Sequence, residues 1–215
     1  HLPPVRLPGG DAAVRHPGRM ALSYLWAAYG EAGWERAKEL GLEFTGLEEQ
    51  ILRRQLASGW NSPLTSSAGR LFDAVAAALG VCRQRTYEGQ PALELEMAAV
   101  ESQEEGYVVQ LLTQEGHCQI DTITLFRQVV EDYLGGTPPQ VIAGCFHASL
   151  AQACEQVCVR HRDRTGLNLV ALSGGVWQNG LLLALTLERL TRAGFEVLTH
   201  RQAPPNDGGI ALGQV

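Results

Sequence analysis

Leu167-Asn168-Leu169-Val170-Ala171-Leu172-Ser173-Gly174-Gly175-Val176-Trp177-Gln178-Asn179 is the stretch that decides the fold. Its first six residues form a short apolar run with the length and composition of a buried strand. Two glycines follow at once, and residues 178–193 have the pattern of a helix. Strand, glycine turn and helix make one α/β unit. Downstream, 195–199 reads as a second strand, and a last helix begins after Asp207. Upstream, Tyr107 to Thr113 and His117 to Ile120 read as strands joined by the turn Gln114-Glu115-Gly116. Asp121 is a cap for a helix ending at Gly135-Gly136, and another helix runs from Pro139 to about Arg160. The order ββααβαβα predicts an α/β lobe over 106–215.

The preceding residues have a different texture. Segments near 12–29, 31–40, 46–58 and 67–79 read as helices, punctuated by Gly30, Gly41, Gly59 and Gly80. Thr65-Ser66-Ser67 offers N-caps for the fourth, and 90–103 reads as a fifth. Leu2 to Gly10, rich in Pro and Gly, reads as a linker or loop. Residues 1–105 are thus expected to form a helical layer leading into the lobe.

Composition bounds the function. With 45% hydrophobic and 19% charged residues, the chain can bury a core. A net charge of −6, with 17 Lys and Arg scattered along the sequence, argues against general nucleic-acid binding. Five cysteines at no framework spacing point to reduced thiols and a cytoplasmic setting. No stretch approaches a membrane span. The start, His1-Leu2-Pro3-Pro4, is neither a signal peptide nor a translation start, so the sequence reads as part of a longer chain.

Four constellations carry candidate chemistry, each with a plainer alternative. Ser173-Gly174-Gly175, between strand and helix, is a phosphate cradle or an ordinary turn, and Asn179 a sugar or base contact. Pro204-Pro205-Asn206-Asp207-Gly208-Gly209 offers Asp207 as a hard metal ligand or a helix cap. Asp73 either pairs with Arg70 on one helix face or binds ribose hydroxyls, with Gly69 clearing room. Tyr87-Glu88-Gly89-Gln90 is a turn carrying a carboxylate just before a helix. Cys154, Cys158 and His161 share a helix face, where core packing is preferred over metal binding. His147 reads as a satisfied helix histidine rather than a cleft residue.

Six segments in order resemble the C-terminal region of the HypF carbamoyltransferases: 9–22 (GGDAAVRHPGRMAL), 61–80 (NSPLTSSAGRLFDAVAAALG), 86–96 (TYEGQPALELE), 145–151 (CFHASLA), 171–179 (ALSGGVWQN) and 204–214 (PPNDGGIALGQ). Departures are slight: Pro91 stands where the family usually has Ala. The region is similar to the tRNA threonylcarbamoyl-transferases of the TsaD family and to antibiotic O-carbamoyltransferases. The resemblance implies an ASKHA fold, ribonuclease-H-like lobes closing on a nucleotide. It places Gly174, Gly175 and Asn179 at the nucleotide, Asp73 at the ribose, Gly89 at a second glycine turn, and Asp207 at a metal. The family's histidine motif for that metal, iron or zinc, is absent, so the remaining ligands are expected outside this chain.

The resemblance further implies that carbamoyl phosphate and ATP yield carbamoyl-adenylate in another domain. This part would then pass the carbamoyl group to the C-terminal cysteine of HypE, toward the cyanide ligand of [NiFe]-hydrogenases. By itself the 215-residue chain is expected to be inactive. The alternatives are O-carbamoyl transfer to a hydroxyl of a secondary metabolite and a non-catalytic ASKHA-like nucleotide-binding module.

Overall fold

The computed structural model describes residues 1–99, 106–114 and 117–214. The first part comprises β1 (Val5–Arg6), α1 (Asp11–Arg15), α2 (Pro17–Tyr29), α3 (Gly33–Glu39), α4 (Gly46–Ser58), β2 (Leu64–Thr65), α5 (Ala68–Ala78) and α6 (Gln90–Ala98). Then come β3 (Leu111–Gln114), β4 (His117–Ile120), α7 (Thr122–Leu134), α8 (Pro139–Thr165), β5 (Leu169–Leu172), α9 (Gly180–Arg192), β6 (Glu196–Thr199) and α10 (Ile210–Gly213).

Helix α5 is the axis of the molecule. Its sequence, AGRLFDAVAAA, is rich in small side chains, and everything from Leu71 to Leu79 is buried. Alanines on all sides let α2, α6 and α7 approach closely, and the removal of this apolar surface from water holds the assembly together. The ends of the helices follow local chemistry. The Thr45 side chain accepts from Glu48 N at the start of α4, and Asp121 accepts from Thr124 N at the start of α7. One apolar cluster contains Val5, Phe72, Leu95, Phe126, Phe146 and Leu182, so the core is continuous across residue 105. A smaller cluster, Leu172, Leu190 and Phe195, seats β5 and β6 on α8 and α9, with Cys158 packed against it.

Several expectations need correction. Leu2 to Gly10 is no free linker: Val5 and Arg6 pair antiparallel with Thr65 and Leu64, and Val5 is buried. Pairing with a partner 60 positions away leaves no local signature. The expected helix 12–29 breaks at His16, where Pro17 starts α2. The strand expected over 107–113 begins at Leu111. Helix α6 ends at Ala98; the rest of the expected helix, 100–103, and turn residues 115 and 116 lie outside the described residues. The sheets are small: among the described residues β1–β2 and β3–β4 are antiparallel and only β5–β6 is parallel.

Candidate functional site

Asp73 is a carboxylate set inside the core. The Leu71–Leu79 run leaves it 2% exposed. Arg70 Nη2 lies 3.0 Å from Oδ2, yet that oxygen lacks a hydrogen-bond partner, so the contact is an ion pair without hydrogen-bond alignment. Burial pushes the Asp73 carboxyl up to about 6, with Arg70 and then Arg85 opposing. A buried anion with an orphaned oxygen costs stability unless a partner is supplied. Nearby Cys82 is no ready thiolate: burial foremost, then the Glu94 carboxylate, pushes it up to about 12.

Arg85 is anchored by two backbone carbonyls, of Tyr87 at 2.9 Å and Val14 at 3.1 Å. It borders a cavity of about 690 Å³ together with Arg15, His16, Tyr87 and Glu88. Sequence reasoning passed over Arg15, His16 and Arg85. The available signal was that the first two fall inside segment 9–22 and the third just before segment 86–96. Gly89 caps α6 with φ 77°, is exposed, and has open space where a Cβ would stand.

The glycine turn after β5 differs from the expectation. Gly174 takes φ 107° and ψ 158°, a conformation reserved for glycine. Gly175 then opens a single 3-10 turn, Gly175–Gln178, and α9 starts only at Gly180. The second glycine loop packs here. Gly174 N donates to Pro205 O at 2.9 Å, and a Cβ on Gly175 would lie 3.6 Å from Asn206 Cβ. His200 Nε2 is 3.0 Å from Ser173 Oγ, a contact the sequence did not announce. Thus 171–179 and 204–209 form one surface, with Gly175 and Asp207 exposed on it.

Asn179 faces the other way. It is buried, its Oδ1 accepts from Leu182 N at 2.8 Å, and its Nδ2 lies 3.0 Å from His147 Nε2. The side chain expected at a sugar or base here caps α9 and ties it to α8. His147 uses both ring nitrogens, with Nδ1 2.7 Å from Ala143 O. The backbone ends of this chain assign its protons. Leu182 N can only donate and Ala143 O can only accept, so His147 carries its proton on Nδ1 and is neutral. Burial lowers its pKa accordingly. The His147 ring also stacks edge-on to Phe72, centroids 5.4 Å apart, which joins the Asp73 helix to the Asn179 helix.

The expected metal ligand lies at the surface. Asp207 is an exposed carboxylate on a 3-10 turn that Asn206 caps through Gly208 N. Among the described residues no three His, Cys, Asp or Glu side chains gather into a group that could hold a metal ion. None of the described helices is long and apolar enough to cross a membrane.

Residues 1–214 match the family described as carbamoyltransferase, Kae1-like domain, second subdomain. The chain belongs to the HypF family. It is 41% identical to carbamoyltransferase HypF of Rhodobacter capsulatus, over 99% of this chain and 27% of that protein. It is 35% identical to the Synechocystis HypF, over 100% and 29%. A crystal structure of full-length HypF in a phosphate- and nucleotide-bound form superimposes with a TM-score of 0.91 at 36% identity, covering 100% of this chain and 28% of that one. HypF of T. kodakarensis gives 0.84 at 32%, again over 100% and 28%. The fold is therefore the Kae1-like, ASKHA-type fold that the six segments imply. The chain spans less than a third of the length of these HypF relatives.

Proposed function

We propose that this chain forms part of the carbamoyl-transfer site of a longer HypF-type enzyme. Carbamoyl-adenylate made from ATP and carbamoyl phosphate would be the donor, and the C-terminal cysteine of HypE the acceptor. The observation that carries this reading is Asp73, a buried carboxylate with an oxygen that accepts no hydrogen bond from the described residues. A ribose would supply what is missing, its hydroxyls donating to that oxygen in a charge-assisted hydrogen bond once the side chains that cover Asp73 move aside. The exposed turns at Gly89 and Gly174-Gly175 let a nucleotide approach the backbone without meeting a Cβ. The N–H groups that open the Gly175–Gln178 turn have no partner within it, as at any helix start, and suit the phosphate of AMP.

The chemistry then needs little from acid–base groups. The acceptor thiolate attacks the carbamoyl carbon; an S–C bond forms, the C–O bond to the phosphate breaks, and AMP departs as an anion. Holding AMP in place before and after that step favours departure. Asn179 serves here by fixing the end of the glycine turn. A metal held by Asp207 with ligands from outside this chain, iron or zinc, would supply Lewis-acid polarisation.

The test is transfer of label from ¹⁴C-carbamoyl phosphate to HypE by the intact enzyme with ATP. Wild type should label HypE on its terminal cysteine, and Asp73→Ala should lose AMP affinity by about tenfold or more, the worth of one charge-assisted hydrogen bond. Label on no protein thiol, or wild-type AMP affinity in Asp73→Ala, would overturn the reading.

A further inference from the structure

Helix α9 begins at Gly180, five residues after Gly175, yet its free N–H groups are all used. Asn179 Oδ1 takes Leu182 N, and Asn179 O takes Leu183 N at 3.0 Å. The first two are taken from far away in sequence. Glu96, on α6, accepts from Gly180 N at 2.8 Å and Leu181 N at 3.1 Å through a single oxygen. A Cβ on Gly180 would stand 3.2 Å from that oxygen, so glycine leaves the space the carboxylate fills.

The same helix, α6, starts at the Gly89 turn. Glu96 is seven residues further on, about 10 Å along the axis at 1.5 Å per residue. One short rigid helix therefore carries a glycine turn at one end and clamps the start of α9 at the other. On the far side of α9's first turn, His147 of α8 holds the Asn179 amide at 3.0 Å. The first turn of α9 is gripped from two helices, and the Glu96 grip is not needed merely to satisfy Gly180 N, an exposed group that water would serve equally well.

We propose that Glu96 is a positioning residue for nucleotide binding: through Gly180 and Leu181, and with His147 and Asn179, it fixes the spacing between the Gly89 and Gly174-Gly175 turns. The inference rests on the nucleotide reading given above. A carboxylate in this place also excludes a ligand phosphate from the N-terminus of α9, which directs phosphate to the turn before it.

The experiment uses the intact enzyme, AMP as probe, and Glu96→Ala beside Glu96→Gln. Calorimetry gives the AMP Kd, and thermal unfolding gives Tm. Glu96→Ala should weaken AMP about tenfold, as the two turns lose their fixed spacing, the equivalent of one charge-assisted hydrogen bond. Glu96→Gln keeps an oxygen in place and should return AMP affinity to within about threefold of wild type while its Tm stays lowered by the lost charge at the helix end. A purely structural role would give affinity that tracks Tm in both variants, and overturns the inference. So does wild-type affinity in Glu96→Ala with AMP bound normally by the parent, which leaves the nucleotide reading standing. A parent enzyme that binds no AMP removes both.

Discussion

At the scale of the residue, Asp73 and Cys82 show how burial decides chemistry. In the folded chain the Asp73 carboxyl is easier to protonate than in the unfolded one, about 6 against 3.8. Its contribution to stability is thus fullest below pH 3.8 and is lost as pH rises through about 6. The ionised group costs on the order of 3 kcal/mol at pH 8, by the rise of about two pH units. Asp73→Asn should therefore stabilise the ligand-free protein by about 2–3 kcal/mol at pH 8, with the gain gone near pH 4. Urea unfolding of both proteins across that range checks it; parallel curves would mean that Asp73 ionises like an exposed carboxylate. Such a cost in the ligand-free protein is what the ligand role proposed for Asp73 requires.

At the scale of the element, the junction of α8 and α9 depends on one neutral histidine. His147 is held below its ordinary range by burial. Its stabilising contribution is present above pH 6.5, the unfolded value, and is lost as pH falls below it, opposite in sign to Asp73. The groups facing it are the Asn179 amide, the Ala143 carbonyl and the Phe72 and Phe146 rings, with the Glu96 charge a weaker influence. Asn179→Ala removes a helix cap worth about 1 kcal/mol and strands a buried ring nitrogen at about 1–3 kcal/mol, so a loss of about 2–4 kcal/mol is expected by denaturation. A loss below about 0.5 kcal/mol would show the junction to be held by apolar packing alone. Asn179→Asp replaces the donor facing His147 Nε2 with an acceptor. Nitrogen NMR shifts of the ring should then report a raised His147 pKa.

At the scale of the whole molecule, the described residues cover the parallel pair β5–β6 on one side only. Val170, Leu172 and Val197 pack toward α8 and α9, whereas Leu169 and Leu198 are 55% and 49% exposed. Parallel strands ordinarily have both faces covered, and an open apolar strand pair invites pairing with another chain. The 215-residue chain studied by itself should associate in a concentration-dependent way in sedimentation. Leu169→Lys with Leu198→Lys should reduce that association while changing unfolding free energy by less than about 1 kcal/mol, because exposed positions contribute little. Unchanged association would place the contact on another surface.

Local chemistry alone determined much of this protein. Apolar periodicity, glycine breaks, the Thr45 and Asp121 caps and the LNLVAL run are read within a few residues, and they produced the helices and the βα unit; the HypF family is carried instead by the resemblance of six ordered segments. The candidate residues were legible too, because glycines at a strand end and a lone carboxylate in an apolar helix violate the local pattern. What only the tertiary structure decided is where their polar atoms point. Whether Asn179 faces a ligand or His147, and whether Glu96 reaches solvent or the start of α9 84 residues away, is settled by packing between helices. The pairing of Val5-Arg6 with Leu64-Thr65 and the meeting of the two glycine loops are of the same kind. Hydrogen bonds between distant segments leave no periodicity in either one, so they exist only once the core has brought the partners together.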